Sequence, residues 1–471
     1  MQRRTFLTGT ALGITLAAFP AVGAQAATTV SSLTALQSAI NAAVPGDVIT
    51  VANGTYAVPD GKPITITGKH GTEAAPITIV AQSRGGVVLT GKQSFVFSGS
   101  DNITLSGFAF RQSTTLDVPP DSSYIRLTRN DFQLADISGL HWVMIRGDHS
   151  KVDRNHFHNK SQLGIMLGVE GADTDKMAYK VLISKNYFSD HSFTGDNGGE
   201  PIRLGVSPRA LANAEATVEL NLFERTNGDP EAISIKSSGN FIRHNTIRDS
   251  KGGIVLRHGN GTQVDSNWIL DGQEGIRIYG NDHQIVNNYV SGLSGTALII
   301  GSGTERDHIP NEPPASRTGN DAPDRVTIVH NTLRNNAKTL AGESQRTEEP
   351  RDCVVADNLL VGDAGSLVAM ATTVRFTWQS NILFGAAADG NIPAGTYTRT
   401  DPKLVTGSDG IARLSAASPA IGAATSQQLT VGYDIEGDAR GTARDVGCDE
   451  YSTAAPVYRP LTTADVGPNA A

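Results

Sequence analysis

Residues 253–301 read GIVLRHGNGTQVDSNWILDGQEGIRIYGNDHQIVNNYVSGLSGTALIIG, and this stretch decides the fold. Short aliphatic runs begin at Ile254, Ile276 and Leu298, so the pattern repeats every 22 residues. Glycine, asparagine and aspartate, which favour turns, separate the runs. Short strands at a fixed period of this length are typical of the coils of a parallel β-helix.

The same pattern continues on the N-terminal side of this stretch. Related motifs begin at Gly164, Pro201 and Ala232. From the first isoleucine of each motif to that of the next, ending at Ile254, the intervals are 37, 31 and 21 residues, so the longer intervals are one coil plus a loop. A short amphipathic helix is expected over Leu33–Ala43, where it would cover the open first coil. The sequence therefore predicts an all-β, right-handed parallel β-helix with a short N-terminal capping helix.

A second series of motifs, each opened by asparagine, follows the first. Asparagine at a recurring bend tolerates left-handed backbone and can hydrogen-bond the same residue of the next coil, so we expect an architectural ladder. Its predicted members are Asn155, Asn186, Asn221, Asn245, Asn267, Asn288, Asn331, Asn358 and Asn381.

The first residues have the features of an export signal. Residues 1–26 combine Arg3 and Arg4, an apolar run and a small-residue end, which predicts a twin-arginine signal peptide and a periplasmic or secreted protein without membrane insertion. We expect a catalytic β-helix over residues 27–451, a closing cap near its end and a loose tail over residues 452–471. We expect a monomer, with Cys353 and Cys448 as buried free thiols, because a core of this size needs no disulfide.

The chain is acidic overall, with 39 basic and 47 acidic residues and a net charge of −8, which is not the charge of a nucleic-acid-binding protein. Strand alternation nevertheless predicts local positive charge, because every second side chain of each motif points outward. One outward column is predicted to run Met166, Arg203, Ser234, Val255, Arg277 and Ile299, and the other Gly168, Gly205, Lys236, Arg257, Tyr279 and Gly301. Like charges stacked on neighbouring strands repel, so this arrangement suggests an anionic ligand.

Three segments carry a resemblance to a known family. NGGEPIRLG at 197–205, EAISIKSS at 231–238 and LRHGN at 256–260 resemble polysaccharide lyase family 6, in the single-domain form. That family contains alginate lyases and chondroitinase B, which degrades dermatan sulfate. The resemblance is dense over residues 150–290 and weaker elsewhere.

The resemblance implies a site and a reaction. It makes Lys236 the base and Arg257 the acid of a β-elimination that cleaves alginate, with calcium held by Asn197, Asp229 and Glu231. Family members usually have glutamate at the position of Asp229. Arg277 matches a substrate-binding arginine, and we add Arg203, Tyr279, His258 and His283 as expected substrate contacts and Glu200 as the fallback metal ligand.

The residues alone give this chemistry physical sense. Removal of the C5 proton of a uronate adds negative charge beside a carboxylate, and a divalent cation offsets that charge. Calcium prefers oxygen ligands, which these side chains supply. Strict alternation, however, places Glu231 on the face opposite Lys236, so the sequence requires a bend or bulge between Glu231 and Ile233.

Two alternatives stay open. A dermatan sulfate lyase would use the same chemistry but calls for further basic residues near the cleft. A non-catalytic glycan-binding β-helix would share the fold, because fold does not imply function. A pectate lyase is less compatible with the Asn-Gly-Gly-Glu and Glu-x4-Lys-Ser-Ser motifs.

Overall fold

A computed structural model describes residues 28–308, 311–429 and 431–471. The predicted signal peptide at 1–26 therefore lies outside the described residues. Within the described part of the chain, no helix has both the length and the apolar character needed to cross a bilayer.

One helix, α1 (Leu33–Ala42), and short strands make up the regular structure, together with two single-turn 3-10 helices at Ser207–Arg209 and Pro314–Ser316. The strands are β1 (Thr28–Val30), β2 (Val48–Val51), β3 (Gly54–Val58), β4 (Ile64–Thr67), β5 (Ile77–Ala81), β6 (Val87–Gly91), β7 (Phe95–Ser98), β8 (Ile103–Ser106), β9 (Phe108–Gln112), β10 (Leu116–Val118), β11 (Arg126–Thr128), β12 (Asp131–Phe132), β13 (Val143–Ile145), β14 (Lys151–Asp153), β15 (His156–Lys160), β16 (Leu167–Val169), β17 (Leu182–Ser184), β18 (Tyr187–His191), β19 (Ile202–Leu204), β20 (Thr217–Glu219), β21 (Leu222–Thr226), β22 (Glu231–Lys236), β23 (Phe241–Arg243), β24 (Thr246–Arg248), β25 (Gly253–His258), β26 (Gln263–Asp265), β27 (Trp268–Leu270), β28 (Ile276–Ile278), β29 (Gln284–Val286), β30 (Tyr289–Ser291), β31 (Thr296–Ile300), β32 (Thr327–Val329), β33 (Thr332–Arg334), β34 (Lys338–Gly342), β35 (Val354–Ala356), β36 (Leu359–Val361), β37 (Ser366–Ala369), β38 (Thr377–Gln379), β39 (Asn381–Phe384), β40 (Ala388–Gly390), β41 (Tyr397–Arg399), β42 (Leu404–Thr406) and β43 (Ala412–Leu414).

Three long parallel sheets form the walls of the solenoid. Sheet 1 runs from β1 to β38 with 14 strands, sheet 2 from β10 to β40 with 11, and sheet 3 from β3 to β41 with 14. Every third strand along the chain pairs with the next member of its own sheet, as β11, β14 and β17 do in sheet 1. This is the topology of a parallel β-helix, and the predicted fold class is confirmed.

Helix α1 closes the first coil, as the spacing predicts. Ser32 begins it as an N-cap whose side chain accepts a hydrogen bond from the backbone of Ala35 at 3.2 Å. Leu36 and Ile40, one turn apart, are both buried against the first coil. The helix ends at Ala42, one residue before the predicted boundary.

The interior of the solenoid is filled by stacked side chains of like kind. Phenylalanines of successive coils stack with ring centroids 4.6–4.9 Å apart, in the series Phe110, Phe132, Phe157, Phe188 and Phe223. Because the strand pattern repeats once per coil, side chains of the same type stack on one another. A substitution of one phenylalanine inside the series would therefore disturb its contacts with the rings of both neighbouring coils.

The asparagine ladder is present. Asn245, for example, is fully buried, and its backbone N–H and side-chain amide both donate to Asn267 Oδ1 at 3.0 Å. The left-handed backbone is found at the residue before each asparagine, such as His244 (φ 52°) and Ser266 (φ 56°), and not at the asparagine itself. The preceding residue makes the bend, so that the asparagine can turn its side chain inward.

The prediction of a loose C-terminal tail is wrong. Residues 425–429 and 431–471, here called the C-terminal strap, run back along the bend between sheets 1 and 3. Thr425 accepts a hydrogen bond from Gln379 at the late coils, and Arg129 of an early coil donates to Pro468 O at 2.9 Å. Leu461 and Val466 are buried against Leu222. Apolar side chains along the bend, such as Leu222, Trp268 and Tyr289, are buried in clusters with residues of the strap.

The two cysteines are both buried and unpaired, as expected from the size of the core. Cys353 lies inside the solenoid, and Cys448 is a residue of the C-terminal strap that packs against Trp268 and Tyr289.

Candidate active site

The outward face of sheet 2 carries the predicted positive column. Its register aligns Arg203 with Ser234, Ser234 with Val255, Val255 with Arg277 and Arg277 with Ile299. One assignment is wrong: Gly168, not Met166, stands opposite Arg203. The apolar run around Met166 fits two registers, and the strand begins only at Leu167.

Strand β22 contains the irregularity that the sequence requires. The register shifts between Glu231 and Ile233, because Glu231 pairs with Gly253 while Ile233 pairs with Ile254. As a result, Glu231 and Ser234 lie on the same side, and Ser234 Oγ donates to Glu231 Oε2 at 2.6 Å. The bulge therefore brings the carboxylate to the outward face, which strict alternation would forbid.

A second shift, between Ile235 and Lys236, changes the predicted pairing of Lys236 with Arg257. Lys236 stands opposite His258 and not opposite Arg257, so Arg257 is the extra residue of this bulge. The predicted direct stacking of Lys236 on Arg257 is therefore wrong by one residue, although the two remain on neighbouring strands. Burial, followed by the positive charges of Arg257 and Lys236, lowers the pKa of His258 to about 3.

Each basic side chain of the two predicted columns except one has a carboxylate partner. Lys236 Nζ lies 3.1 Å from Glu200 Oε1, Arg277 lies 3.1 Å from Glu231, and Arg203 lies 3.4 Å from Glu170. Arg257 is half-buried and makes no ion pair within 4.0 Å among the residues that the structure describes. Of the four basic side chains, the Arg257 guanidinium is therefore the one whose charge is available to an incoming anion.

Three carboxylates crowd together beside Lys236. Glu200 and Asp229 are each at most 1% exposed, and Glu231 is 5% exposed. Burial, then the charge of Glu200, then that of Glu231, raise the pKa of Asp229 to about 6, although backbone N–H groups of Gly199 and Glu231 donate to it at 3.1 and 2.9 Å.

These residues offer the donor type of a hard divalent cation, although one oxygen from each of the three does not yet lie within 4.8 Å of the other two in the described chain. Glu200 Oε2 is buried and has no hydrogen-bond partner within the described chain, so the residue we expected only as a fallback ligand has an oxygen to offer. All donors of the cluster are oxygens, which calcium prefers. Asn197 is exposed and lies two residues before Gly199, whose backbone N–H donates to Asp229. Within the described residues, no hydrogen bond joins Asn197 to the three carboxylates.

Two of the expected substrate contacts, Tyr279 and His283, have buried side chains. Tyr279 is 1% exposed; its hydroxyl donates to Glu343 at 2.8 Å, and Arg346 covers its ring with 5.0 Å between the guanidinium carbon and the ring centroid. His283 is fully buried between Thr262 N–H and Tyr279 O, at 3.0 and 2.9 Å. The side chain of His258, also expected to contact substrate, is 5% exposed.

Glu170 is a charged group beside Arg203 that the sequence pattern did not indicate. Glu170 lies between three arginines: Arg203 at 3.4 Å, and Arg146 and Arg209 at 3.7 Å each. Arg209 lies in a loop outside the repeat, so its approach could not be read from the period. Glu170 directly follows a predicted strand, and that position was its only signal.

Known proteins resemble this chain over most of its length. The family model described as Chondroitinase B matches residues 30–382. A solved structure described as the PL6 family alginate lyase AlyGC shares 26% identity at a TM-score of 0.73, covering 93% of this chain and 59% of that one. The chain therefore spans about 59% of AlyGC's length.

Two further solved structures resemble it. A family 6 lyase from human gut microbiota, described as mannuronic acid specific, shares 25% identity at a TM-score of 0.68, covering 76% of this chain and 86% of that one. Pedsa3628 of Pseudopedobacter saltans, described as a PL6 family polysaccharide lyase, shares 24% identity at a TM-score of 0.67, covering 94% of this chain and 99% of that one. No curated protein matches the chain.

The family model covers well over half of the sequence, and sheet 2 of the β-helix carries Arg203, Lys236 and Arg277, each beside a carboxylate. The chain belongs to the Chondroitinase B family, which is polysaccharide lyase family 6.

Proposed function

We propose that this protein is an exported polysaccharide lyase that cleaves alginate by β-elimination. The observation that carries the proposal is the position of Lys236 and Arg257 on neighbouring strands beside three buried carboxylates. Export rests on the sequence of residues 1–26 alone.

In the proposed reaction Lys236, in its neutral form, takes the C5 proton of a uronate. The electron pair of that C–H bond forms the C4–C5 double bond while the C4–O4 bond breaks, and the departing O4 takes a proton from Arg257, which regains one from water. Arg257 stabilises the charge that develops on O4, and its lack of a carboxylate partner among the described residues suits that role. Arg277 and Arg203 are partly neutralised by Glu231 and Glu170, so they would orient the neighbouring sugars more than stabilise charge.

Calcium is part of the proposal. Glu200, Asp229 and Glu231 would hold it, and Asn197 is the further candidate on the adjoining loop. When bound, the cation would neutralise the uronate carboxylate and make the C5 proton more acidic. The crowding of three buried carboxylates supports this assignment, because a divalent charge would relieve their repulsion.

Dermatan sulfate is the second candidate substrate. The family model is named for an enzyme of that class, and Arg146 and Arg209 lie near Arg203. Glu170 is shared by these arginines, and Arg146 also pairs with Asp117, so the free positive charge for a sulfate is small. This balance favours alginate.

The test measures ultraviolet absorbance of the new double bond with polymannuronate, polyguluronate, mixed alginate and dermatan sulfate. We expect signal on alginate substrates and its loss in Lys236→Ala. Lys92→Ala is the matched control, because Lys92 is exposed and pairs only with Asp60 at 3.6 Å. Absence of signal on all four polymers, with folded protein, would contradict the lyase assignment and favour a glycan-binding role.

A further inference from the structure

A second cluster of metal-binding side chains lies on sheet 3, away from the lyase cleft on sheet 2. Asp131 of β12 pairs in register with His156 of β15, and His158 follows two residues later on the same face. One ligand atom from each of the three lies within 4.8 Å of those of the other two. We propose that Asp131, His156 and His158 form a binding site for a transition-metal ion of the zinc type.

The donor atoms converge from two neighbouring coils. Asp131 Oδ2 lies 2.9 Å from His158 Nε2 and 3.8 Å from His156 Nδ1. Ligands bound to one ion at about 2.1 Å are separated by roughly 3.0–3.5 Å, so the three need only small side-chain shifts. Two imidazoles and one carboxylate leave further positions for water, the pattern of zinc and other first-row metal sites.

The contacts of His156 determine which of its ring nitrogens carries the proton and which has a free lone pair. Its Nε2 lies 3.0 Å from Ser189 Oγ, so the hydroxyl can hold the Nε2 proton and leave the Nδ1 lone pair free. The ring is also fixed by stacking on Tyr187, with centroids 4.5 Å apart.

His158 is the side chain that must move. Its ring is stacked on that of His156 with centroids 4.1 Å apart and planes 20° apart, so both lone pairs cannot yet point to one ion. Its Nδ1 accepts from the amide of the exposed Asn159 at 2.9 Å, and its Nε2 shares a proton with Asp131 that a bound ion would displace. His158 therefore can turn its Nε2 toward the ion while Asp131 and His156 stay in place.

Arg111 limits the affinity. Its guanidinium pairs with Asp131 Oδ1, which orients the carboxylate and leaves Oδ2 for the histidines. The same positive charge repels a cation, so we expect zinc binding in the micromolar range and a tighter complex in Arg111→Gln.

The experiment titrates zinc into the full chain in competition with a chromophoric chelator, in excess calcium so that oxygen-only sites are filled. We expect one zinc per chain, a rise in melting temperature, and at least a tenfold loss of affinity in both His158→Ala and Asp131→Asn. Cobalt in place of zinc should give a visible absorption band that these variants lack.

His70→Ala is the matched control, because His70 is an exposed histidine that pairs with one aspartate, Asp101, at 2.6 Å. It should bind zinc as the unmodified chain does. Failure to bind at micromolar zinc, or equal binding in a folded His158→Ala variant, would overturn the proposal. Lyase activity is assayed separately, so neither result depends on the reaction at Lys236.

Discussion

At the scale of single residues, Asp229 is the carboxylate of the candidate active site whose ionised form is disfavoured by its surroundings. Its pKa of about 6 stands against an ordinary value of 3.8, because burial and the charges of Glu200 and Glu231 disfavour the ionised form. Between these values the folded protein holds a proton that the unfolded chain has released. The contribution of Asp229 to the free energy of unfolding therefore falls by about 3 kcal/mol as the pH rises from the ordinary pKa to the pKa in the folded protein.

This sign gives a prediction about calcium. We expect calcium to raise the melting temperature more at about pH 7.5 than at about pH 5, since only the ionised cluster attracts the ion. Asp229→Asn should be more stable than the unmodified chain at the higher pH without calcium, and should lose most of the calcium effect. Scanning calorimetry with and without chelator measures both. An equal calcium shift at the two pH values would contradict a site at Asp229.

Gly228 is the other residue on which the site depends. A Cβ added there would meet the buried ring of His191 at 2.4 Å, and Gly228 directly precedes Asp229. We expect Gly228→Ala to destabilise the fold by about 1–3 kcal/mol through overpacking and to lower lyase activity by displacing Asp229. Urea unfolding and the absorbance assay measure the two effects.

The double variant Gly228→Ala, His191→Ala tests the cause. Removing the ring should recover part of the activity that Gly228→Ala alone loses, which is a coupling between contacting residues. Gly441→Ala is the control, because no atom lies within 4 Å of the added carbon. Strictly additive losses in the cycle would rule out the clash as the reason.

At the scale of elements, the asparagine ladder ties each coil to the next at the bend. Asn267 accepts from the backbone and side-chain amides of Asn245 and donates to Asn288 at 3.0 Å. Asn267→Ala leaves a buried N–H of Asn245 without a partner, so we expect a loss of about 3 kcal/mol in the free energy of unfolding.

The same substitution should leave KM for the polymer unchanged, since Asn267 is buried at the bend between sheets 1 and 3 and the cleft lies on sheet 2. Asn41→Ala serves as control, because Asn41 is exposed at the end of α1. A loss of less than about 1 kcal/mol in Asn267→Ala would mean that water replaces the missing amide.

At the scale of the whole molecule, the C-terminal strap is the feature that departs from a simple solenoid. Repeat proteins are held by contacts between neighbouring coils, whereas the strap connects coils that are far apart in sequence. Leu461 N–H donates to Thr246 Oγ1 at 2.8 Å, and Gly467 N–H donates to Lys185 O at 2.9 Å.

We expect truncation after residue 451 to lower the free energy of unfolding by about 2–5 kcal/mol, because Leu461 and Val466 lose their burial and their segment loses its hydrogen bonds. Hydrogen exchange should increase first in the early coils around β15 and β18. Val457→Ala, at a side chain that is 74% exposed, is the control and should change nothing. An unchanged free energy of unfolding after truncation would show that the contacts of residues 452–471 with the coils do not stabilise the fold.

Local pattern was enough to predict the fold, because a period of 22 residues with alternating apolar positions leaves one way to bury the apolar face. It also placed Lys236, Arg257 and Arg277 on one outward sheet and required the bulge at Glu231, since alternation is a property of the strand itself. The sequence alone could not show the second bulge, which sets Lys236 opposite His258.

Burial of Tyr279 and the partners of Arg203 were decided by tertiary structure. Glu343 and Arg346 cover Tyr279 from the coil of β34, and Glu170 reaches Arg203 from the preceding coil. The C-terminal strap likewise binds early coils through residues more than 300 positions away, as Arg129 and Pro468 do. Periodicity fixes what each coil repeats, while contacts between distant segments depend on loops that have no period, and only the folded chain brings those together.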